Sequence, residues 1–151
     1  GSGSPFLRRS VEKTMNWPSG DSDFATAARS TFLDEMVAQA DYWIEFGSDL
    51  ITHPQPTRPF QRSWSEAAKK DRAYREAFAT LTDEQKEMVT ALLKQCVSGA
   101  IFSSLCTLDQ FPGGEAEVWI SDGVCGAGKR KVKISPMQTD LHDDYQARRT
   151  Q

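Results

Sequence analysis

The chain has 151 residues, of which 38% are hydrophobic and 26% charged, and it carries a formal net charge of −3. This length predicts one domain with its own core, and eight Phe with four Trp are too many aromatic residues for a disordered chain. The slight acidic excess argues against a dedicated nucleic-acid binder, because such proteins usually carry a strong basic excess.

The first twenty residues divide into two parts. Residues 1–4, GSGS, are typical of an expression scar and are excluded from the fold. Residues 5–20 predict an N-terminal arm that starts with apolar residues at helical spacing and is broken by Asn16-Trp17-Pro18-Ser19-Gly20. We expect residues 21–151 to form a single helical domain with a C-terminal hairpin.

A long helix is predicted from Asp23 to Phe46, with Ser22 or Asp23 as its cap and Gly47 just after its end. Residues 48–52 could add another turn. One helical face of this segment is apolar: Phe24, Ala28, Phe32, Met36, Ala40, Trp43 and Ile44. Residues 53–60, HPQPTRPF, contain three prolines and predict an extended connector.

A second helix is predicted from Trp64 to Thr80, starting with a capping box that joins Ser63 to Glu66. Its apolar face is narrow, which predicts a surface helix docked along one side.

The third helix is predicted from a capping box at Thr82 to Leu108, and Phe111-Pro112-Gly113-Gly114 ends it. It carries the broadest apolar stripe of the chain: Met88, Val89, Leu92, Leu93, Cys96, Val97, Ala100, Ile101, Leu105 and Leu108. No charge occurs between Cys96 and Asp109, which predicts that this helix is central and surrounded by other elements. Its small residues 98–100 are expected to admit a second backbone.

The pattern then changes to alternation. Residues 116–121 and 131–134 predict two antiparallel strands, with Glu115 and Glu117 able to pair with Lys131 and Lys133. Thr139 is predicted to cap a short terminal helix. The fold class is therefore α+β and mostly α, with three main helices, a C-terminal antiparallel hairpin and a short terminal helix.

The loop between the strands, GVCGAGKR at residues 123–130, is close to a phosphate-binding loop. Arg130 stands where such a loop has Ser or Thr as a magnesium ligand, and a strand pattern follows instead of a helix. We therefore predict a hairpin loop. Weak anion binding by Lys129 and Arg130 stays open as an alternative.

The three cysteines do not form a disulfide framework, because their number is odd and no CxxC pair occurs. Cys96 and Cys106 fall in the apolar helical pattern, where a free cysteine behaves as a small buried hydrophobe. This usage predicts a reducing, cytoplasmic location. No apolar run approaches the length of a membrane-spanning helix, so a membrane partner is not expected.

Two candidates for chemistry remain near the C-terminus. Cys125 lies beside basic residues that favour its thiolate, and with His142 it could form a nucleophile–base pair. The run His142-Asp143-Asp144 could bind a metal, but its carboxylates at a helix start equally complement the helix dipole. We favour the dipole and predict no metal or cofactor.

Trp119 lies on the polar side of its predicted strand, where an exposed aromatic indicates an interface. A local basic run, Lys129, Arg130, Lys131 and Lys133, lies on and before the opposite strand. Together these residues are the predicted partner-binding surface.

The sequence therefore favours a non-enzymatic protein-interaction module, whose partner is another protein and which could also form a homo-oligomer. Its size and acidity are similar in general character to those of small bacterial immunity or antitoxin proteins. The alternative is an anion- or small-ligand-binding protein, or an enzyme, that uses residues 123–131 with Cys125 and His142.

Overall fold

A computed structural model describes residues 17–56, 65–123 and 130–150. In chain order its elements are α1 (Asp21–Thr52), α2 (Ser65–Ala79), α3 (Asp83–Asp109), β1 (Val118–Ser121), β2 (Lys131–Ser135) and α4 (Leu141–Arg149). The predicted fold class is confirmed: three long helices precede a two-stranded antiparallel hairpin and a short C-terminal helix.

The helix at the centre of the fold is α1. Its 32 residues, about 48 Å at 1.5 Å per residue, contact α2, α3, β2 and α4. Buried residues follow its whole length: Phe24, Ala28, Arg29, Leu33, Ala40, Ile44 and Ile51. All four neighbouring elements are therefore organised around this one helix.

The prediction that α3 is the central helix is wrong. Leu105 is its one fully buried residue, whereas Met88 is 68% exposed and Leu92 is 58% exposed. Cys96, predicted to be buried, is exposed as well. An apolar stripe indicates how much surface a helix can bury, but among the described elements only α1 and α4 pack extensively against α3.

The small residues of α3 do not admit a second backbone of the described chain. Apart from Gly99, its chain neighbours and the adjoining helix backbone, no described atom lies within 4 Å of where a Cβ on Gly99 would stand. Close approach occurs instead at Gly47, inside α1, where a Cβ would overlap the side chain of Leu93 on α3.

The predicted bounds of α1 need two corrections. Its N-cap is Gly20, and neither Ser22 nor Asp23 caps it. It also runs past Gly47 to Thr52, because that glycine serves the contact with α3 and does not end the helix. The helix ends at Thr52, and its C-cap His53 is extended, as expected from the steric restriction that Pro54 places on the preceding residue.

Trp43 does not belong to the core face to which its spacing assigns it, since it is 50% exposed. It makes an edge contact with Tyr42 at 5.3 Å between ring centroids and another with Phe46 at 5.6 Å. These three rings form an aromatic cluster on the surface of α1.

The capping box of α3 is confirmed. The backbone N–H of Gln85 donates to the Thr82 hydroxyl at 3.1 Å, and the Thr82 N–H donates to the Gln85 side chain at 2.9 Å. The corresponding box predicted for α2 involves Ser63, which lies outside the described residues. The cap of α4 is Asp140 and not Thr139.

The hairpin packs one face on α1. Val132 and Ile134 of β2 form a buried cluster with Phe24 and Ala28, and Val118 and Ile120 of β1 lie against it. A second buried cluster joins α1, α3 and α4 through Leu33, Leu105, Leu141 and Tyr145. The hairpin is therefore stabilised by α1, as an isolated two-stranded sheet requires.

Gly47→Ala and Gly99→Ala should affect stability differently. Replacing a helical glycine by alanine is worth about 0.5–1 kcal/mol, and Gly99 has the space to accept the methyl group. At Gly47 the overlap with Leu93 adds an overpacking penalty of about 1–3 kcal/mol. Urea unfolding at low protein concentration should show Gly99→Ala more stable than wild type and Gly47→Ala less stable than Gly99→Ala. Equal shifts would contradict the packing described for Gly47.

Candidate partner-binding surface

The outer face of the hairpin carries three of the predicted partner-binding residues. Trp119 stands opposite Lys133 in the ladder, and Ser121 stands opposite Lys131, so all four side chains lie on the face turned away from α1. Trp119 is 52% exposed. We call Trp119, Ser121, Lys131 and Lys133 the hairpin outer face.

Glu117 orients two members of this face. Its carboxylate accepts a hydrogen bond from the Trp119 indole N–H at 2.9 Å and lies 3.9 Å from the Lys133 ammonium. The predicted pairing of Glu117 with Lys133 is confirmed. The indole ring is thereby held beside a lysine, with its apolar surface available to a partner.

Arg130 is not part of the hairpin outer face. Its guanidinium lies 4.2 Å from the centre of the Phe24 ring and donates to the carbonyls of Pro18 and Ser19. It also pairs with Asp122 at 3.3 Å. These contacts fasten the base of the hairpin loop to the start of α1, so Arg130 has a structural use that its place in a basic run does not reveal.

Two hydrogen bonds of 3.0 Å close the hairpin loop: the Asp122 N–H donates to the Arg130 carbonyl, and the Arg130 N–H donates to the Asp122 carboxylate. The predicted strand follows directly as β2, in place of the helix that a phosphate loop requires. Cys125 and Lys129 lie outside the described residues, so the predicted reactivity of the first and partner contact of the second stay predictions.

His142 has a structural environment at the start of α4. Asp109, at the end of α3, accepts hydrogen bonds from the backbone N–H groups of Leu141 and His142 at 3.0 and 2.9 Å. The same carboxylate lies 2.6 Å from the His142 Nδ1. Asp109 therefore caps α4 from another helix and fixes the imidazole ring.

This pairing also shifts the pKa of His142. The hydrogen bond to Asp109 raises the pKa of His142 above its usual value, against the lowering effect of burial, and Asp143 and Asp140 add to the rise. The contacts of His142, with Asp109, Asp143 and the edge of Phe102, share no residue with those of Asp122 and Arg130 at the loop base.

Asp140, His142 and Asp143 hold ligand atoms within 4.8 Å of one another, a separation at which a cation could be bound. They occupy the first turn of α4, where the positive end of the helix dipole opposes a cation and favours carboxylates. The carboxylates of Asp140 and Asp143 therefore lie where the helix dipole favours negative charge.

Sequence reasoning missed Arg29, whose buried side chain donates hydrogen bonds to three residues far along the chain. It is 6% exposed and donates to the Ile134 carbonyl at 2.7 Å and to Asp144 at 2.7 Å. It also donates to the carbonyl and the hydroxyl of Thr139. Burial raises the pKa of Asp144, but hydrogen bonds from Arg29 and Thr139 outweigh this and hold it below its usual value. A lone arginine in an apolar stripe was the available signal, although its partners lie 105 to 115 residues away.

Two open grooves lie away from the hairpin outer face. One, of about 510 Å³, is lined by Thr52, Asp83, Lys86, Glu87, Thr90, Ala91 and Lys94. The other, of about 380 Å³, runs beside Arg29, Asp144 and Arg148. The second groove includes Asp144, from the run considered for metal binding, and both grooves are lined by acidic and basic residues.

Among the described residues, α3 is long and apolar enough to cross a membrane by length and composition alone, although it was not predicted to be. A single helix of this kind is weak evidence, since soluble proteins also contain such helices.

No protein-family model matches the chain, and neither a curated protein nor a solved structure is significantly similar to it.

Replacing Arg29 by Met should lower the free energy of unfolding by about 3 kcal/mol or more, because Asp144 is left without its buried partner. The matched change Lys69→Met removes the exposed pair with Glu66 and should cost at most about 0.5 kcal/mol. Urea unfolding of both variants tests the difference. Similar small losses would show that the Arg29 network contributes little.

The pairing of His142 with Asp109 predicts a pH dependence of stability. Because folding raises the pKa of His142, its contribution is full below the unfolded pKa of about 6.5 and is lost as pH rises through the higher folded value. The free energy of unfolding should therefore fall over this range in wild type, and the fall should be smaller in His142→Gln. Parallel pH profiles for the two proteins would contradict this assignment.

Proposed function

We propose that this protein is a non-enzymatic protein-interaction module that binds its partner through the hairpin outer face. The observation that carries the proposal is the pairing of a half-exposed Trp119 with Lys133, beside Lys131, on the face that α1 leaves free. Trp is enriched among residues that dominate binding energy, and lysines at the rim favour an acidic partner.

Two features of the hairpin support this proposal: the Trp119 indole ring is held in one orientation, and the two-stranded sheet has uncovered edges. Trp119 is oriented by Glu117 before any partner arrives, so little side-chain freedom is lost on binding. In the described chain the sheet has two strands, so β1 and β2 each have one edge without a strand neighbour. A partner can therefore cover the indole and add a strand at the same time.

The proposed partner is an acidic protein surface with an apolar pocket for the indole. A role like that of bacterial immunity or antitoxin proteins is one specific form of this proposal, supported only by small size and net acidity. The alternative, ligand binding or catalysis by residues 123–131 with Cys125 and His142, has no described contact in its favour.

The test is affinity capture from a lysate of the source organism, followed by direct binding to the captured protein. The variant Trp119→Ala with Lys131→Glu should weaken binding about 30-fold or more, the loss expected for a central aromatic hot spot. The matched control is Tyr74→Ala with Lys70→Glu on α2, since Tyr74 is 51% exposed and Trp119 52%.

The control should bind as wild type does. Equal affinity for all three proteins would place the binding site elsewhere on the molecule. Loss of binding in both variants would also reject the hairpin outer face as the specific site.

A further inference from the structure

The outward side of α3 forms a continuous uncharged strip. Its members are Gln85, Met88, Val89, Leu92, Cys96, Gly99, Ala100, Ser103 and Thr107, which we call the α3 outer face. All except Val89 are exposed, and Val89 is partly buried. Residues 85, 89, 92, 96, 99 and 103 follow alternating steps of four and three, which is the spacing of a helix–helix seam.

We propose that the α3 outer face binds a second copy of this chain, with the two α3 helices antiparallel and the two-fold axis at Cys96. This proposal is independent of the hairpin outer face.

Side-chain size supports the antiparallel arrangement. The bulky residues Met88, Val89 and Leu92 lie before Cys96, and the small residues Gly99, Ala100 and Ser103 lie after it. An antiparallel copy centred on Cys96 sets bulky residues against small ones, with Leu92 opposite Ala100 and Val89 opposite Ser103. A parallel copy would set each residue against itself and leave gaps along the small half.

The hole for Leu92 is formed by four residues of the facing helix: Cys96, Gly99, Ala100 and Ser103. This is the i, i+3, i+4, i+7 arrangement that receives a side chain when helices interlock. Gly99 deepens it, because no described atom beyond its chain neighbours and the adjoining helix backbone lies within 4 Å of its Cβ position. Two-fold symmetry forms the contact twice, as an isologous interface requires.

The strip can be covered at little electrostatic cost, because none of its nine residues is charged. The Thr107 hydroxyl is already bonded within the helix, to the Ser103 carbonyl at 3.0 Å. Nearby, the Ser104 hydroxyl bonds to the Ala100 carbonyl at 2.8 Å. Covering these two hydroxyls therefore leaves neither of them without an acceptor, and antiparallel helices also align their dipoles favourably.

The area of the α3 outer face indicates how tightly two copies should bind. From Gln85 to Thr107 the strip is about 33 Å long, and a helix is about 12 Å wide, so each copy contributes roughly 400 Å² in projection. Interlocking side chains remove more accessible area than this, which brings the pair into the class of small, transient specific interfaces. We expect a dimer whose population depends on protein concentration.

A lipid bilayer fits α3 less well than a second copy does. The opposite side of α3 is packed on α1 and α4, with Leu105 buried against Leu33, Leu141 and Tyr145. Crossing a membrane would break up this cluster. The first half of the helix also carries charged residues, among them Lys86 and Lys94.

The first test measures molar mass by light scattering over a range of concentrations. The molar mass of wild type should rise with concentration, from that of one chain toward that of two. Leu92→Glu buries a charge in the seam and Gly99→Leu fills the hole, so both should stay at one chain. The control Tyr74→Glu, a similarly exposed position on α2, should behave as wild type. Circular dichroism should show the same helix content for all four proteins.

The second test measures orientation by disulfide formation. In full-length chains with all three native cysteines changed to serine, one variant carries Val89→Cys and another Ser103→Cys. Under oxidation, a mixture of the two should form cross-linked pairs, whereas neither variant alone should do so. Separately, a variant that retains only Cys96 should form a disulfide between the Cys96 residues of two copies.

Several outcomes would overturn the proposal. They are a one-chain mass at every concentration, a dimer that survives both Leu92→Glu and Gly99→Leu, or self-cross-linking of the Val89→Cys variant. Flotation of wild type with phosphatidylcholine–phosphatidylglycerol vesicles that is lost in Leu92→Glu would assign the strip to a membrane instead.

Discussion

The buried guanidinium of Arg29 connects the parts of the fold that carry the functional surface. From the first half of α1 it bonds to the end of β2, to the segment before α4 and to Asp144 within α4. A charged group so far from water requires this many partners, because burial without them is costly. One side chain of the central helix therefore joins the hairpin to α4, in addition to the apolar contacts that pack the hairpin on α1.

A similar arrangement secures the other end of α1. Arg75 of α2 is 5% exposed and pairs with Asp71 of its own helix and with Asp49 of α1. It also donates to the carbonyls of His53 and Gln55, where the chain leaves α1. The hydrogen bonds to Asp71 and Asp49 raise the pKa of Arg75, the bond to Asp71 most strongly and against the effect of burial. Arg29 therefore holds the hairpin and α4 on the first half of α1, and Arg75 holds α2 on the second half.

This arrangement leaves two surfaces with different character. The hairpin outer face is small, charged at its rim and centred on one oriented indole, which suits a partner of opposite charge. The α3 outer face is long, uncharged and graded from bulky to small residues, which suits a copy of itself. They lie on separate elements, so one molecule could bind a copy of itself and a different partner through separate groups.

The sequence by itself determined the elements and their local signals. The capping box at Thr82, the alternation around Trp119 and the strand after Arg130 depend on neighbours within a few residues, and the structure confirms them. Only the tertiary structure decided which helix is central, that Gly47 lies inside a helix, and that Arg130 turns toward Phe24. Those features depend on contacts between residues far apart in the chain. The pattern of a single helix shows which face is apolar, but it does not show how many neighbours will cover that face.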